Sequence, residues 1–309
     1  MLIETKDLRK TYGAVVAVDG LNLSVAKGEV FGFLGPNGAG KTTTVKMLLG
    51  LVYATSGHAR ILDCAPGDPR VMGKIGFLPE HFRFHPWLTA GEFLDVHGRL
   101  YGLTTGQRAE RTPRLLERVG LADRVDARLA DFSKGMLQRI GLAQALLSDP
   151  ELIFLDEPTS GLDPIGRHEV RDLIRELRIA GSTVFINSHF LSEVEVTCDR
   201  IAIVKRGRVV RTGRLDELTA QSTEVEIRAG GLTPELISGL ARWGKVDDRA
   251  LAANRMLDAP ACLTIAIENE EVLPAVTEWL VQGGARLYSL APKRLSLEEL
   301  FMRTMSEDI

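Results

Sequence analysis

Apolar and polar positions alternate over residues 2–4, 15–18 and 21–25, with Gly13, Gly20 and Gly28 as punctuation. That pattern predicts half-buried strands. Residues 29–34 (EVFGFL), 152–155 (LIFL) and 183–187 (TVFIN) are instead short continuous apolar runs, as expected of strands buried on both faces of a central parallel sheet. A helix is expected over 41–49, mostly helical structure over 88–129, and another helix from Ser133 to about 147, stopped by Asp149-Pro150. Residues 201–205 and 209–212, joined by Arg206-Gly207-Arg208, read as a closing hairpin.

The texture changes near residue 220. Beyond it the pattern gives a strand at 223–228, a helix at 234–242, strands near 246–258 and 262–268, a helix at 270–282, a strand at 285–290 and a helix at 296–306. That order is β-α-β-β-α-β with a trailing helix, the split βαβ type of α+β domain. Charge shifts at the same place. The chain carries 38 basic and 41 acidic residues, a net charge of −3, yet residues 221–309 alone sum to −5 and residues 1–220 to +2. Two domains, 1–220 and 221–309, are expected from 309 residues. The near balance gives no general attraction for nucleic acid or anionic lipid. Cys64, Cys198 and Cys262 are odd in number and far apart, which suits a reduced compartment better than a disulfide framework. The N-terminus (MLIETKDLRK) is too charged for a signal peptide, and the longest apolar run, 47–54, is far too short to span a membrane.

Gly35-Pro36-Asn37-Gly38-Ala39-Gly40-Lys41-Thr42 fits the spacing G-x-x-x-x-G-K-[ST] between an expected buried strand and an expected helix. Its glycines let successive backbone N–H groups turn toward one anion, and the helix N-terminus adds positive potential. In such a loop Lys41 reaches the β- and γ-phosphates and the Thr42 hydroxyl ligates Mg²⁺, with Thr43 completing the cradle. Asp156, at the end of an apolar run, suits a Mg²⁺ ligand. Glu157 is placed to polarise a water for attack on the γ-phosphate. The bland reading of that acidic pair is a helix cap before Pro158-Thr159.

With these motifs and several others, residues 2–215 resemble the ATP-binding subunit of an ABC transporter. Phe132-Ser133-Lys134-Gly135-Met136, followed by Gln138-Arg139, is similar to the family signature Leu-Ser-Gly-Gly-Gln. There Ser133 would cap a helix aimed at the γ-phosphate bound to the opposite subunit. Ser160-Gly161-Leu162-Asp163 resembles the loop that joins the two nucleotide sites across the dimer. His189 resembles the switch histidine that contacts the γ-phosphate and attacking water, and Tyr12 the aromatic that stacks on adenine. Three positions depart from the pattern. Glu80 stands where the family has glutamine, keeping an oxygen near Mg²⁺ but adding a negative charge. Lys134 replaces a glycine and Met136 a glutamine.

The resemblance implies an α/β P-loop NTPase fold of ABC type: a RecA-like α/β core, an antiparallel β subdomain and a helical subdomain over about 82–148, with a small C-terminal α+β domain. It implies ATP and Mg²⁺ as cofactors and ATP hydrolysis with Glu157 and His189 as the catalytic pair. It also implies a second ATPase subunit in a homodimer, and an integral membrane permease chain without its own ATPase domain, at the cytoplasmic face of the cell membrane. The 132–139 stretch, Leu78-Pro79-Glu80 and the ending Ser296-Leu297-Glu298-Glu299-Leu300-Phe301 are similar to subunits of drug, antibiotic, lipid and sodium exporters. No nucleic-acid partner is expected. A soluble ABC ATPase acting on ribosomes or DNA is disfavoured by the single cassette and the lack of coiled-coil heptads. An ATP-binding regulatory module is disfavoured by the presence of Glu157 and His189. The aromatics Phe82, Phe84, Trp87 and Phe93 either line a groove for the permease or form the core of the helical subdomain. Trp243, Cys262 and Trp279 are expected in the C-terminal core.

Overall fold

The computed structural model describes residues 1–82, 84–219, 224–247, 261–267, 269–292 and 295–307. The chain forms two compact units: Met1–Leu215 with Arg303–Ile309, and Asp216–Met302. The division therefore falls a few residues before the composition shift near 220, and the end of the chain returns to the first unit. There the Lys205 ammonium donates to the carbonyls of Met305 (2.8 Å) and Glu307 (2.6 Å), and Arg211 pairs with Glu307. A cation on the orphan carbonyls of a helix C-terminus satisfies them and complements the helix dipole.

The first unit contains two sheets. Strands β1 (Ile3–Tyr12), β2 (Val15–Val25) and β4 (Ser56–Ile61) form an antiparallel sheet in the order β2-β1-β4. The larger sheet is built from β3 (Val30–Leu34), β5 (Ile75–Leu78), β6 (Leu152–Asp156), β7 (Thr183–Asn187), β8 (Arg200–Lys205) and β9 (Arg208–Arg214), in the order β5-β6-β7-β3-β8-β9. All its pairings are parallel except the closing β8–β9 hairpin. Every residue of β3, β6 and β7 is buried, as their unbroken apolar runs require. Phe185 sits at the centre of this layer, with the rings of Phe31, Phe33 and Phe154 at 5.7, 5.3 and 5.2 Å.

The 88–129 region resolves into two helices, Ala90–Leu100 and Thr105–Arg118, followed by 3₁₀ turns. Each helix starts with a capping box, Thr89 with Glu92 and Thr104 with Gln107. Phe93 is buried, and the half-buried Phe82 and Phe84 pack on it at 5.9 and 5.7 Å. Trp87 is exposed. Three of the four aromatics thus serve the core of this subdomain. No helix among the described residues is long and apolar enough to cross a membrane.

The second unit carries β10 (Glu224–Gly230), the helix Pro234–Leu240, β11 (Gly244–Asp247), β12 (Ala261–Ile267), the helix Leu273–Gln282 and β13 (Arg286–Pro292). Its sheet is antiparallel throughout, in the order β11-β12-β10-β13. This is the expected split βαβ arrangement, although the stretch 248–258 of the anticipated strand lies outside the described residues. Trp243 and Trp279 pack against the core at a ring distance of 6.3 Å. Cys262 does not join them. Leu263, Ile265 and Ile267 point inward, so the alternation of the strand sends Cys262 to the opposite face, where its thiol meets Glu226.

Candidate nucleotide site

The carboxyl ends of β3, β6 and β7 lie side by side because β7 pairs with both of the others. Ligands of open parallel sheets bind at that edge. The three loops leaving it supply residues 35–43, 156–157 and 187–189.

The first loop runs from β3 into the helix Lys41–Leu48. Gly40 is its N-cap, with φ at 95° and no side-chain acceptor, so the first-turn N–H groups are left for an anion. A Cβ at Gly40 would overlap the Ala17 carbonyl oxygen, and one at Gly35 the Val204 carbonyl oxygen. Both positions need glycine for close backbone approach. Ala39 is buried behind the loop and donates to the Pro36 carbonyl at 3.1 Å. The Lys41 ammonium turns back to the carbonyls of Gly35 (2.7 Å) and Pro36 (3.2 Å). Burial holds it below the usual lysine range, against the pull of Glu157, Asp156 and Glu80.

Asp156 and Asn187 are register partners on β6 and β7, and the Asn187 amide donates to the Asp156 carboxylate at 2.5 Å. Burial pushes the Asp156 carboxyl up to about 6; the Asn187 hydrogen bond opposes this, while the charges of Glu80 and Glu157 add to it. Asn187 Oδ1 is buried without a hydrogen-bond partner among the described residues. A buried carboxylate held back from ionising, an orphan amide oxygen and the Thr42 hydroxyl make a hard oxygen donor set. Among the described residues no three His, Cys, Asp or Glu side chains converge as a metal cage. That sparse set fits Mg²⁺, which takes one or two protein oxygens together with substrate phosphates and water.

Glu157 follows with φ at 54°, in the left-handed region that side-chain-bearing residues seldom occupy. Its N–H donates to the Asn187 carbonyl at 2.8 Å. Its Oε1 accepts from the His189 N–H (3.0 Å) and meets His189 Nδ1 at 2.8 Å. Oε2 has a longer contact, 3.4 Å, with the Ser188 hydroxyl.

These loops line a cleft of about 540 Å³ that brings together Tyr12, Asn37, Gly38, Gly40, Lys41, Thr42, Thr43, Glu80, Glu157 and His189. It also contains Val15, Val16, Ala17 and Asn187, which the sequence reading did not single out. The first three form an apolar shelf at the β1–β2 hairpin beside the exposed Tyr12 ring. Exposed valines at a hairpin tip were the available signal. Ser133, Lys134, Gly135, Met136 and Asp163 lie outside this cleft. Ser133 caps the helix Lys134–Leu146 by accepting from the Met136 N–H at 3.2 Å, and Asp163 caps Pro164–Ile179 by accepting from Gly166 at 2.8 Å. Lys134 is exposed, with its aliphatic stem alongside Gly161.

Residues 18–160 match the family model described as ABC transporter. An uncharacterized ABC transporter ATP-binding protein of Nostoc sp. is 39% identical, covering 99% of this chain and 90% of the relative. A daunorubicin resistance ATP-binding protein of Streptomyces coeruleorubidus is 36% identical over 97% of this chain and 94% of its own length. Among solved structures, a dimeric ATP-binding cassette in a post-hydrolysis state, bound to ADP and Pi, superposes with a TM-score of 0.64 at 27% identity, covering 69% of this chain and 98% of that one.

Proposed function

This chain belongs to the family of ABC transporter ATP-binding subunits and is an ATPase of that class, and on that premise we propose that it powers export through a separate membrane permease by closing as a dimer around ATP. The observation that carries the chemical part is the placement of Glu157: a carboxylate fixed by an unusual backbone at the sheet edge, with Oε1 committed to His189 and Oε2 facing fewer partners.

ATP would lie with its adenine on Tyr12 and the Val15–Val16 shelf and its phosphates on the N–H groups of 35–43. Lys41 would exchange the Gly35 and Pro36 carbonyls for the β- and γ-phosphates. Thr42 and Asp156, with Glu80 beside them, would hold Mg²⁺, which supplies charge neutralisation on the phosphates when bound. Glu157 Oε2 takes the proton of a water whose oxygen bonds to the γ-phosphorus as the bond to the bridging oxygen breaks, releasing ADP and phosphate. His189 holds the carboxylate in line and its ring contacts the γ-phosphate. A second copy, head to tail, would bring its Ser133-capped helix, with Lys134, Gly135 and Met136, against that γ-phosphate, and Asp163 would run along the dimer seam. Hydrolysis would then reopen the pair and drive the permease.

The relative named for daunorubicin resistance, matched over nearly its whole length, supports the drug-export class. Exposed Trp87, packed beside His85, would meet the permease at the cytoplasmic face of the membrane. Affinity purification from detergent-solubilised native membranes tests this. A co-eluting polytopic protein without an ATPase domain supports the transporter. Ribosomal proteins or DNA-repair factors, with no membrane chain, would overturn it.

A further inference from the structure

The helix Lys134–Leu146 is seated on the loop that leaves Glu157. The Gln138 carboxamide donates from Nε2 to two successive carbonyls, Glu157 O and Pro158 O, each at 3.1 Å. Glu157 O also takes the Ser160 N–H at 3.1 Å. A Cβ on Gly135 would stand 3.4 Å from Leu162, and the Lys134 stem lies along Gly161. One turn later, Arg139 meets the Val119 carbonyl (3.2 Å) and Glu169 (2.6 Å), fixing the same helix to its neighbours. The second turn of this helix, through Gln138, is thus bonded to the one backbone segment that must hold Glu157 at a positive φ. A carboxamide has two N–H groups, and here they bracket the peptide that follows the strained residue.

We propose that Gln138 is a positioning residue that ties the Ser133-capped helix to the backbone of Glu157, so that contact at the helix N-terminus aligns the carboxylate of the same chain. This rests on the head-to-tail dimer proposed above. In that dimer Ser133 serves the ATP held by the partner, while Glu157 serves the ATP of its own chain. Gln138 then links the two sites: closure on one nucleotide sets the base for the other.

ATPase activity of the full chain is measured against ATP concentration for the wild type, Gln138→Met, Gln138→Glu and Gln138→Lys, with Glu157→Gln as control and ATP affinity measured separately by fluorescence of a labelled nucleotide. Met matches the length of Gln but has no donor, Glu places an oxygen against the two carbonyls, and Lys keeps donors. The expected result is a kcat lowered about tenfold in Met and Glu, in keeping with the sensitivity of rate to small misplacements, and held within about threefold of wild type in Lys. Nucleotide affinity should change by less than about twofold, and the Hill coefficient for ATP should fall toward about 1 in Gln138→Met. Met at wild-type kcat and Hill coefficient, or Met as the mildest of the three, would mean that Gln138 only packs and would overturn the proposal. If Glu157→Gln hydrolyses ATP like the wild type, the catalytic reading itself fails. If that control is inactive while Gln138→Met is normal, only the coupling fails.

Discussion

Glu157 and Asp156 are neighbours in sequence with opposite requirements. Asp156 ends a strand and is buried, whereas Glu157 turns out of the sheet with φ at 54°. For Glu157→Gln we expect kcat to fall about 10³-fold with ATP binding retained, the scale of losing a positioned general base; single-turnover hydrolysis alongside a binding titration checks this. For Asp156 the raised carboxyl pKa has a sign. Between 3.8 and about 6 the folded chain keeps a proton that the unfolded chain has lost, so stability falls as pH rises through that window and stays lowered above it. The nucleotide-free Asp156→Asn protein should therefore melt higher than wild type at pH 8, by on the order of 3 kcal/mol at most. The gain should vanish toward pH 4. Equal melting midpoints at pH 8 would show that the carboxylate carries no burial cost. At this scale the sequence spelled out every residue of the phosphate loop. It hid Asn187, because the Asp156–Asn187 pairing exists only once β6 and β7 are in register.

The elements most legible in the sequence were those with one environment. β6 and β7 are buried on both faces, so unbroken apolar runs announced them. β4, SGHARI, alternates exposed and half-buried residues with few strand formers, and β5 is four residues long; neither stands out by periodicity. The helix Lys134–Leu146 was marked by its cap, and Ser133→Ala separates two roles of that residue. Loss of the cap alone should cost about 1 kcal/mol of stability. If Ser133 also meets the partner's γ-phosphate, ATPase activity should fall at least about tenfold, with nucleotide binding to the isolated chain unchanged. A stability loss without an activity loss would reduce Ser133 to a cap.

On the scale of the whole molecule, crossover connections bring loops more than a hundred residues apart to one sheet edge, because β7 lies between β3 and β6. Motif spacing made that convergence legible. The placement of the last turn in the first unit was not, because it depends on Lys205 meeting carbonyls a hundred residues away. The cleft is lined by the phosphate loop, Glu80, Glu157 and His189 of one chain, but not by Asp156, Ser133 or Asp163. In the proposed head-to-tail dimer a second copy would bring its own Ser133 to that cleft. The most direct test is specific ATPase activity measured as the isolated protein is diluted. Two chains closing around ATP predict activity per chain that falls with dilution, so that the rate depends more steeply than linearly on protein concentration. A specific activity that stays constant down to nanomolar protein would contradict the shared site.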